Sequence, residues 1–146
     1  PLPRPRLMMA RDLRARIERA LPMFTIGPTL LPYVRGDSLY WFAEAFSAAR
    51  RYPLSAAVSL DGREYRYLQL AATVIVQAQT GQMLVIPVES PDPLLRGWMQ
   101  RAASTFTPLA AAPEWIRRER PPAVDWMAVQ GSALALRDIF ADAGAP

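Results

Sequence analysis

The stretch that decides the fold is residues 67–88, YLQLAATVIVQAQTGQMLVIPV. Two runs rich in apolar and β-branched residues, 67–78 and 83–88, flank a short polar connection. Because Gly81 in that connection readily adopts the positive φ angle of a tight turn, the pattern predicts a β-hairpin. Pro87 has no amide hydrogen to donate to a neighbouring strand, which predicts an edge position or a strand end for the second arm.

A second hairpin is predicted upstream of the first. Residues 30–34 and 38–46 are both β-like, and the tripeptide around Gly36 between them is a plausible tight turn. In residues 38–46 both alternating sets of side chains are largely apolar, so both faces of this strand should be covered. The strand is therefore predicted to lie in the interior of a sheet.

The remaining N-terminal part of the chain divides into a helix and two connections. Residues 7–21 place their apolar side chains in one stripe at 100° per residue, which predicts an amphipathic helix. Pro22 cannot continue that helix. Residues 25–32, which contain glycine and proline, predict an irregular connection, and residues 48–66 predict a polar connection with a turn at Asp61-Gly62.

Helices are predicted after the second hairpin. Asp92 suits the N-cap of a helix over residues 93–103, with Trp98 as its main apolar anchor. Further helices are predicted at 113–118 and 124–140. The order α, ββ, ββ, α, α predicts an α+β fold, with an antiparallel sheet from two β-hairpins flanked by an N-terminal helix and C-terminal helices.

The chain length fits one domain. It has 146 residues, of which 51% are hydrophobic, enough for a real core. We predict a Pro/Arg-rich lead-in over 1–6, a single α+β domain over 7–140 and a tail over 141–146. No run reaches the roughly 18 apolar residues of a membrane span. The chain opens without an initiator Met, as a trimmed chain or a piece of a longer one would.

The composition excludes most familiar catalytic sites. All 17 basic residues are arginine, and there is no lysine, histidine, cysteine or asparagine. Imidazole bases, thiolate nucleophiles, Schiff-base lysines and Cys/His zinc sites are therefore impossible. We predict no catalytic residues, no metal and no cofactor. A glycosidase-like reaction would need two carboxylates facing across a cleft, which sequence spacing cannot show. The carboxylates open to such a role are Asp37, Glu44, Asp61, Glu64, Glu89 and Asp92.

The net charge of +4 belongs to the first 20 residues, which hold six arginines and two acids. The other 126 residues hold 11 arginines and 11 acids. This basic helix could contact an anionic membrane surface, where each basic residue contributes about 1 kcal/mol. Nucleic acid is disfavoured because no exposed aromatics are interleaved with the arginines. The alternative is an ordinary solvated helix face. The candidate basic face consists of Arg11, Arg14, Arg16 and Arg19.

An aromatic and basic cluster follows the first hairpin turn. One interpretation is a contact surface for another protein; another is a stacking platform for carbohydrate, in which Trp41, Tyr52 and Trp98 line a groove. Arginine over an aromatic face is also a common structural pair, worth about 0.5–1 kcal/mol when exposed. Packing in the core, with Arg51 near a rim, is the simpler interpretation. The candidate interaction surface consists of Tyr40, Trp41, Phe42, Arg50, Arg51 and Tyr52.

Several short segments, taken together in order, resemble a known family: the large bacterial membrane proteins of uncharacterised protein family 0182. The resemblance covers roughly residues 6–135, and the order and spacing of the segments are more specific than any one of them. The segments are Arg16-Ile17-Glu18, Leu21-Pro22-Met23-Phe24, Gly36-Asp37-Ser38-Leu39-Tyr40-Trp41-Phe42, Arg51-Tyr52-Pro53-Leu54-Ser55, Val74-Ile75-Val76-Gln77-Ala78-Gln79-Thr80-Gly81, Asp92-Pro93-Leu94, Phe106-Thr107-Pro108-Leu109, Pro113-Glu114, Pro122, Trp126 and Val129-Gln130.

The resemblance implies a membrane-tethered module, since family members carry N-terminal transmembrane helices followed by a long extracytoplasmic region. The framework of aromatics, glycines and prolines matches the family, whereas polar positions differ. Where the family carries charged or polar residues near the hairpin, this chain has Gln69, Leu70, Thr73, Gln77, Gln79 and Thr80; Glu44 replaces an Asp and Arg50 stands where an acid is common. This pattern favours a retained scaffold with altered ligand chemistry.

Composition and resemblance together predict a noncatalytic extracytoplasmic module, in the periplasm or at the cell surface. Its expected partners are other segments or subunits of a membrane protein complex, with the anionic membrane surface as a further partner. The alternative is a domain that binds carbohydrate or envelope polymer, or a carboxylate-based hydrolase. A weaker alternative is a binder of anionic surfaces or nucleic acid through the basic N-terminal helix.

Overall fold

A computed structural model describes residues 10–53 and 55–143, with side chains described for 12–53 and 55–137. The predicted lead-in 1–6 and the first turn of the predicted N-terminal helix lie outside these residues. The last helix runs three residues into the predicted tail. The elements are α1 (Ala10–Ala20), β1 (Thr25–Arg35), β2 (Ser38–Ala49), β3 (Val58–Leu60), β4 (Arg63–Tyr65), β5 (Tyr67–Gln77), β6 (Met83–Pro87), α2 (Pro93–Arg101), α3 (Glu114–Glu119) and α4 (Val124–Ala143), with two short 3₁₀ turns between α2 and α3.

Four strands form one antiparallel sheet in the order β1-β2-β5-β6. Both predicted hairpins are confirmed. Gly36 and Gly81 have φ angles of 58° and 72°, the left-handed values that these turns require. Pro87 is the last residue of the edge strand β6, so the predicted edge position or strand end is confirmed. The α+β class with flanking helices is confirmed.

The first strand begins earlier than the sequence predicts, so the prediction of an irregular connection over residues 25–32 is wrong. Thr25 and Ile26 already pair with β2, and a register shift between Ile26 and Leu30 accommodates the intervening residues. Pro28 is tolerated because β1 is an edge strand, where a missing amide hydrogen breaks no essential bond. Between these pairs β1 advances four residues and β2 only two, so β1 carries two extra residues before pairing resumes.

The predicted turn at Asp61-Gly62 is confirmed, but it belongs to a small second sheet. Strands β3 and β4 pair on either side of it, and both turn residues have positive φ, 52° and 71°. Positive φ at both central positions is the geometry of the favoured two-residue hairpin turn. The arms are three residues long, too short for alternation of apolar and polar residues to be recognised in the sequence.

The sheet is covered on both faces, as predicted for β2. On one face, Leu13, Ile17 and Leu21 pack with Leu95 of α2. Leu95 is fully buried while Trp98 is only partly buried, so the prediction of Trp98 as the main anchor of α2 is wrong. On the other face, separate clusters join the sheet to α3 and to α4 with the β3–β4 hairpin.

Candidate functional site

A buried carboxylate fastens the start of α4 to the sheet. Glu44 in β2 is 7% exposed, and its two oxygens accept hydrogen bonds from the backbone N–H groups of Asp125 and Trp126 at 2.9 and 2.8 Å. The first N–H groups of a helix have no partner within the helix, and the helix dipole favours negative charge at that end. Glu44 therefore caps α4 from a neighbouring strand.

Asp125 adds a second set of bonds at the same place. Its two oxygens accept from the hydroxyl and backbone N–H of Thr29 at 2.6 and 3.1 Å. A Cβ atom at position 27 would lie 2.3 Å from Oδ2 of Asp125, so this approach of helix to strand requires Gly27. We call Gly27, Thr29, Glu44 and Asp125 the α4 latch. Only Glu44 of this set is a candidate site residue from the sequence, and in the structure its carboxylate caps a helix.

Burial raises the pKa of the Glu44 carboxyl above its usual 4.5; the N–H groups of Asp125 and Trp126 oppose this increase, and the charge of Asp125 adds to it. A carboxyl with a raised folded-state pKa binds its proton more tightly when folded. Its contribution to stability is present below the unfolded-state pKa and is lost as pH rises through the folded-state value.

We therefore expect the free energy of unfolding of the wild type to fall relative to that of Glu44→Gln as pH rises from the usual 4.5 upward. Urea unfolding of both proteins between about pH 4 and 8 measures the difference. The exposed Glu89→Gln serves as the matched control and should keep the wild-type slope. A difference between wild type and Glu44→Gln that is flat or grows with pH would contradict the assignment.

A second carboxylate ties α2 to the sheet, and here the sequence prediction is confirmed. Asp92 is the N-cap of α2 and accepts from the N–H of Leu94 at 3.2 Å. It also accepts from the hydroxyls of Ser47 and Tyr67 at 3.0 and 2.7 Å. Burial raises the pKa of Tyr67, and the bond to Asp92 raises it further. The side chain of Asp92 is thus used for structure.

The other carboxylates proposed for catalysis lie apart from these two networks. Asp37 and Asp61 are exposed in hairpin turns, Glu64 is exposed in the middle of β4, and Glu89 is exposed two residues after β6. Among the described residues, no group of three or more acidic side chains lies close enough together to hold a metal ion.

The aromatic half of the predicted interaction surface is divided between the two faces of the sheet. Phe42 is buried, and the ring of Tyr40 lies 4.6 Å from that of Trp115 in α3. Trp41 belongs to the opposite face, where it packs against the α1 side of the core. Its Nε1 hydrogen is buried and has no hydrogen-bond partner in the described part of the chain. Adjacent strand residues point to opposite faces, so the three rings cannot form one surface.

The other half of that surface is exposed after β2. Arg50, Arg51 and Tyr52 are all exposed, and the ring of Tyr52 lies 5.5 Å from that of Tyr67. Trp98, the third ring of the groove predicted for carbohydrate, packs against the α1 side of the core. Tyr67, the aromatic neighbour of Tyr52, donates to Asp92, the N-cap of the helix that carries Trp98.

Around Trp115 the structure assembles an aromatic cluster that the sequence does not reveal. Tyr33 stacks on Trp115 with ring centroids 5.6 Å apart and planes within 9°, and Phe42 meets it edge-on at 6.3 Å. The Arg35 guanidinium lies 5.5 Å from the centroid of the Trp115 ring. Such pairs contribute about 0.5–1.5 kcal/mol beyond burial. We call Tyr33, Arg35, Tyr40, Phe42 and Trp115 the Trp115 cluster.

Two arginines of the candidate basic face form bonds within the domain. Arg14 donates to the carbonyls of Gly27 and Pro28 at 2.8 and 2.9 Å, and Arg16 donates to the carbonyl of Gly81 at 2.7 Å. Arg19 is exposed in the last turn of α1, and the side chain of Arg11 lies outside the described side chains. Arg14 and Arg16 thus help to fasten α1 to the sheet.

The second half of α4 is exposed at every position from 130 to 137. Leu136 is 49% exposed although it follows the buried Val129 by two helical turns on the same side. Met127 and Leu134, 60% and 57% exposed, share another side of the helix. A helix with apolar side chains on several sides is normally buried. We call residues 127–137, apart from the buried Val129, the exposed half of α4.

Within the described residues, no helix has the length and apolar character needed to cross a membrane. No solved structure matches the chain significantly.

The relatives found by comparison with known proteins all belong to one family. A UPF0182 protein of Prochlorococcus marinus (strain MIT 9313) is 29% identical over 136 residues, which cover 86% of this chain and 14% of that protein. One from Parasynechococcus marenigrum (strain WH8102) is 30% identical over 122 residues, 77% of this chain and 14% of the relative. One from Synechocystis is 25% identical over 142 residues. The chain thus spans about one seventh of the length of these relatives.

The family model matches residues 2–136, nearly the whole chain. This chain therefore belongs to the Uncharacterised protein family (UPF0182).

Proposed function

We propose that this chain is a noncatalytic module that acts through protein–protein contacts, with the exposed half of α4 as its contact surface. The observation that carries the proposal is the exposure of Met127, Leu134 and Leu136 on one helix. Complete burial of an aliphatic side chain is worth about 1.5–3 kcal/mol, so a partner that covered Met127 and Leu134 on one side of the helix would gain up to a few kcal/mol. A partner groove that also wrapped around to Leu136 on the opposite side would gain more. The α4 latch holds the start of this helix against the sheet and so fixes the direction of the surface.

The partner we propose is an apolar helix or groove in another segment or subunit of a membrane assembly. The aligned part of this chain corresponds to 14% of each relative, so most of such a protein lies outside it. Support for a noncatalytic role comes from the carboxylates. Glu44 is buried and Asp92 is partly buried, and the carboxylates of both accept hydrogen bonds from backbone N–H groups at the start of a helix. Arg14 and Arg16 are bonded to carbonyls, which weakens the case for a free basic surface.

We expect Leu134→Ser combined with Leu136→Ser to release the chain from its assembly without unfolding it. Because both side chains are exposed, the free energy of unfolding should change by no more than about 0.5 kcal/mol. On a native gel of host membranes, the wild type should migrate with a large complex and the double variant should not. Gln130→Ser, on the same helix, is the matched control and should migrate as the wild type. Equal migration of all three proteins would contradict the proposal.

We also propose an extracytoplasmic, membrane-associated location, which the resemblance to the membrane proteins of this family supports. The chain contains no cysteine, so a single Ser132→Cys substitution provides a unique reactive thiol on an exposed position. In intact host cells, a maleimide that cannot cross the cytoplasmic membrane should label this thiol. Labelling only after lysis would contradict the location.

A further inference from the structure

A cavity of about 210 Å³ opens beside the Trp115 cluster. Tyr40, Leu84 and Trp115 are among the residues that line it. Gln77 and Gln82 also line it, and none of the lining residues is charged. Ligand sites are mostly apolar concavities with a few convergent polar groups, and this cavity has that character.

The polar groups of the cavity are positioned by the sheet. Tyr40 pairs with Gln77 across β2 and β5, and the Gln77 N–H donates to the carbonyl of Gln82 at 2.9 Å. The three residues therefore form a row across the end of the sheet. The Gln77 carboxamide is held by Ser38 at 3.4 Å and Thr80 at 2.9 Å. Gln82 is exposed, so its carboxamide is accessible to a ligand.

We propose that this cavity binds a neutral saccharide through one sugar ring. The faces of aromatic rings carry negative partial charge, which attracts the C–H groups on the apolar face of a pyranose. The ring hydroxyls would then meet the Gln77 and Gln82 carboxamides at the rim. The volume is below the roughly 300–1,000 Å³ of sites for drug-sized ligands, which fits a single ring. Because no charged side chain lines the cavity, neutral sugars are favoured over acidic ones.

This site differs from the groove that the sequence suggests for carbohydrate, which would use Trp41, Tyr52 and Trp98. It is also independent of the contact surface proposed on α4, because α4 contributes no residue to it. An apolar peptide side chain is the main competing occupant. It would make little use of the two carboxamides, and for that reason we favour the saccharide.

The test uses the four tryptophans of the chain, each of which gives one indole N–H signal in a ¹H–¹⁵N spectrum. Trp115→Phe identifies the signal of Trp115. Neutral oligosaccharides of glucose, galactose, mannose and N-acetylglucosamine are then titrated into the wild type. We expect at least one of them to shift the Trp115 signal in a saturable way and to leave the other three indole signals unchanged.

Two variants test the chemistry of the site. Tyr40→Leu keeps an apolar side chain but removes the ring, and it should weaken binding roughly tenfold. Gln82→Ala changes an exposed residue and should weaken it about fivefold. Gln100→Ala, exposed on α2, is the matched control and should bind as the wild type. The proposal is overturned if no sugar shifts the Trp115 signal up to about 10 mM, if only an apolar peptide does so, or if Gln82→Ala binds unchanged.

Discussion

Replacement of Glu44 with alanine is expected to lower the free energy of unfolding by about 3 kcal/mol. The carboxylate accepts from the N–H groups of Asp125 and Trp126 at the start of α4, and it is buried among residues of β2. Removing it leaves two donors without partners in a place that water reaches poorly. An unsatisfied buried donor costs about 1–3 kcal/mol, and the lost side chain also leaves a void.

Graded variants separate the hydrogen bonds from the charge. Glu44→Gln keeps one acceptor oxygen but turns an N–H₂ group toward a backbone donor. Its free energy of unfolding should therefore lie between those of the wild type and the alanine variant. Glu89→Ala, which removes an exposed carboxylate, should change stability by no more than about 0.5 kcal/mol. Chemical denaturation monitored by circular dichroism gives all three values. If Glu44→Ala were no more costly than Glu89→Ala, the latch would have no energetic role.

The second large effect is expected at Gly27, where alanine should cost about 3 kcal/mol. The added Cβ would lie 2.3 Å from Oδ2 of Asp125 and 3.2 Å from Cε2 of Phe46. Asp125 would have to move, and its bonds to Thr29 would break. Gly97→Ala is the matched control, because a Cβ there meets nothing within 4 Å and the residue lies inside α2. That substitution should stabilise the protein by about 0.5–1 kcal/mol.

A double-mutant cycle identifies the cause of the loss at Gly27. If the clash with Asp125 dominates, Gly27→Ala should cost much less in an Asp125→Ala background than in the wild type. The coupling energy should then exceed about 1 kcal/mol, as for other residues in direct contact. Additive effects would instead assign the loss to Phe46 or to the backbone of β1. Thermal or urea unfolding of the four proteins completes the cycle.

Local signals account for the parts of the fold that the sequence predicts. Gly36 and Gly81 mark the hairpin turns because only a few residues accept positive φ, and Asp92 marks a helix start because its carboxylate reaches an N–H two residues on. The early start of β1 is not predictable in this way. Thr25 pairs with Phe46, but a register shift follows at a glycine and a proline that normally indicate a loop, so the sequence does not show that the strand has already begun.

The candidate site is harder to predict because its parts come from distant segments. Glu44 can be recognised as a possible functional carboxylate, but its partners lie in a helix about eighty residues further on. The same holds for Tyr40, whose neighbour Trp115 belongs to a six-residue helix with no distinctive pattern. Alternation along β2 shows that Tyr40 and Trp41 face opposite ways, yet nothing in the sequence tells which ring will be covered.

The α4 latch also sets an order of events during synthesis of the chain. Its bonds span 81 and 96 positions, whereas each hairpin closes between neighbours within a few residues of each other. Long loops cost more entropy to close, so such distant contacts form late. A ribosome must therefore add some eighty residues after Glu44 before the amides that satisfy its carboxylate exist. Until then the Glu44 carboxylate, on the face that α4 will cover, has only solvent in place of the Asp125 and Trp126 amides.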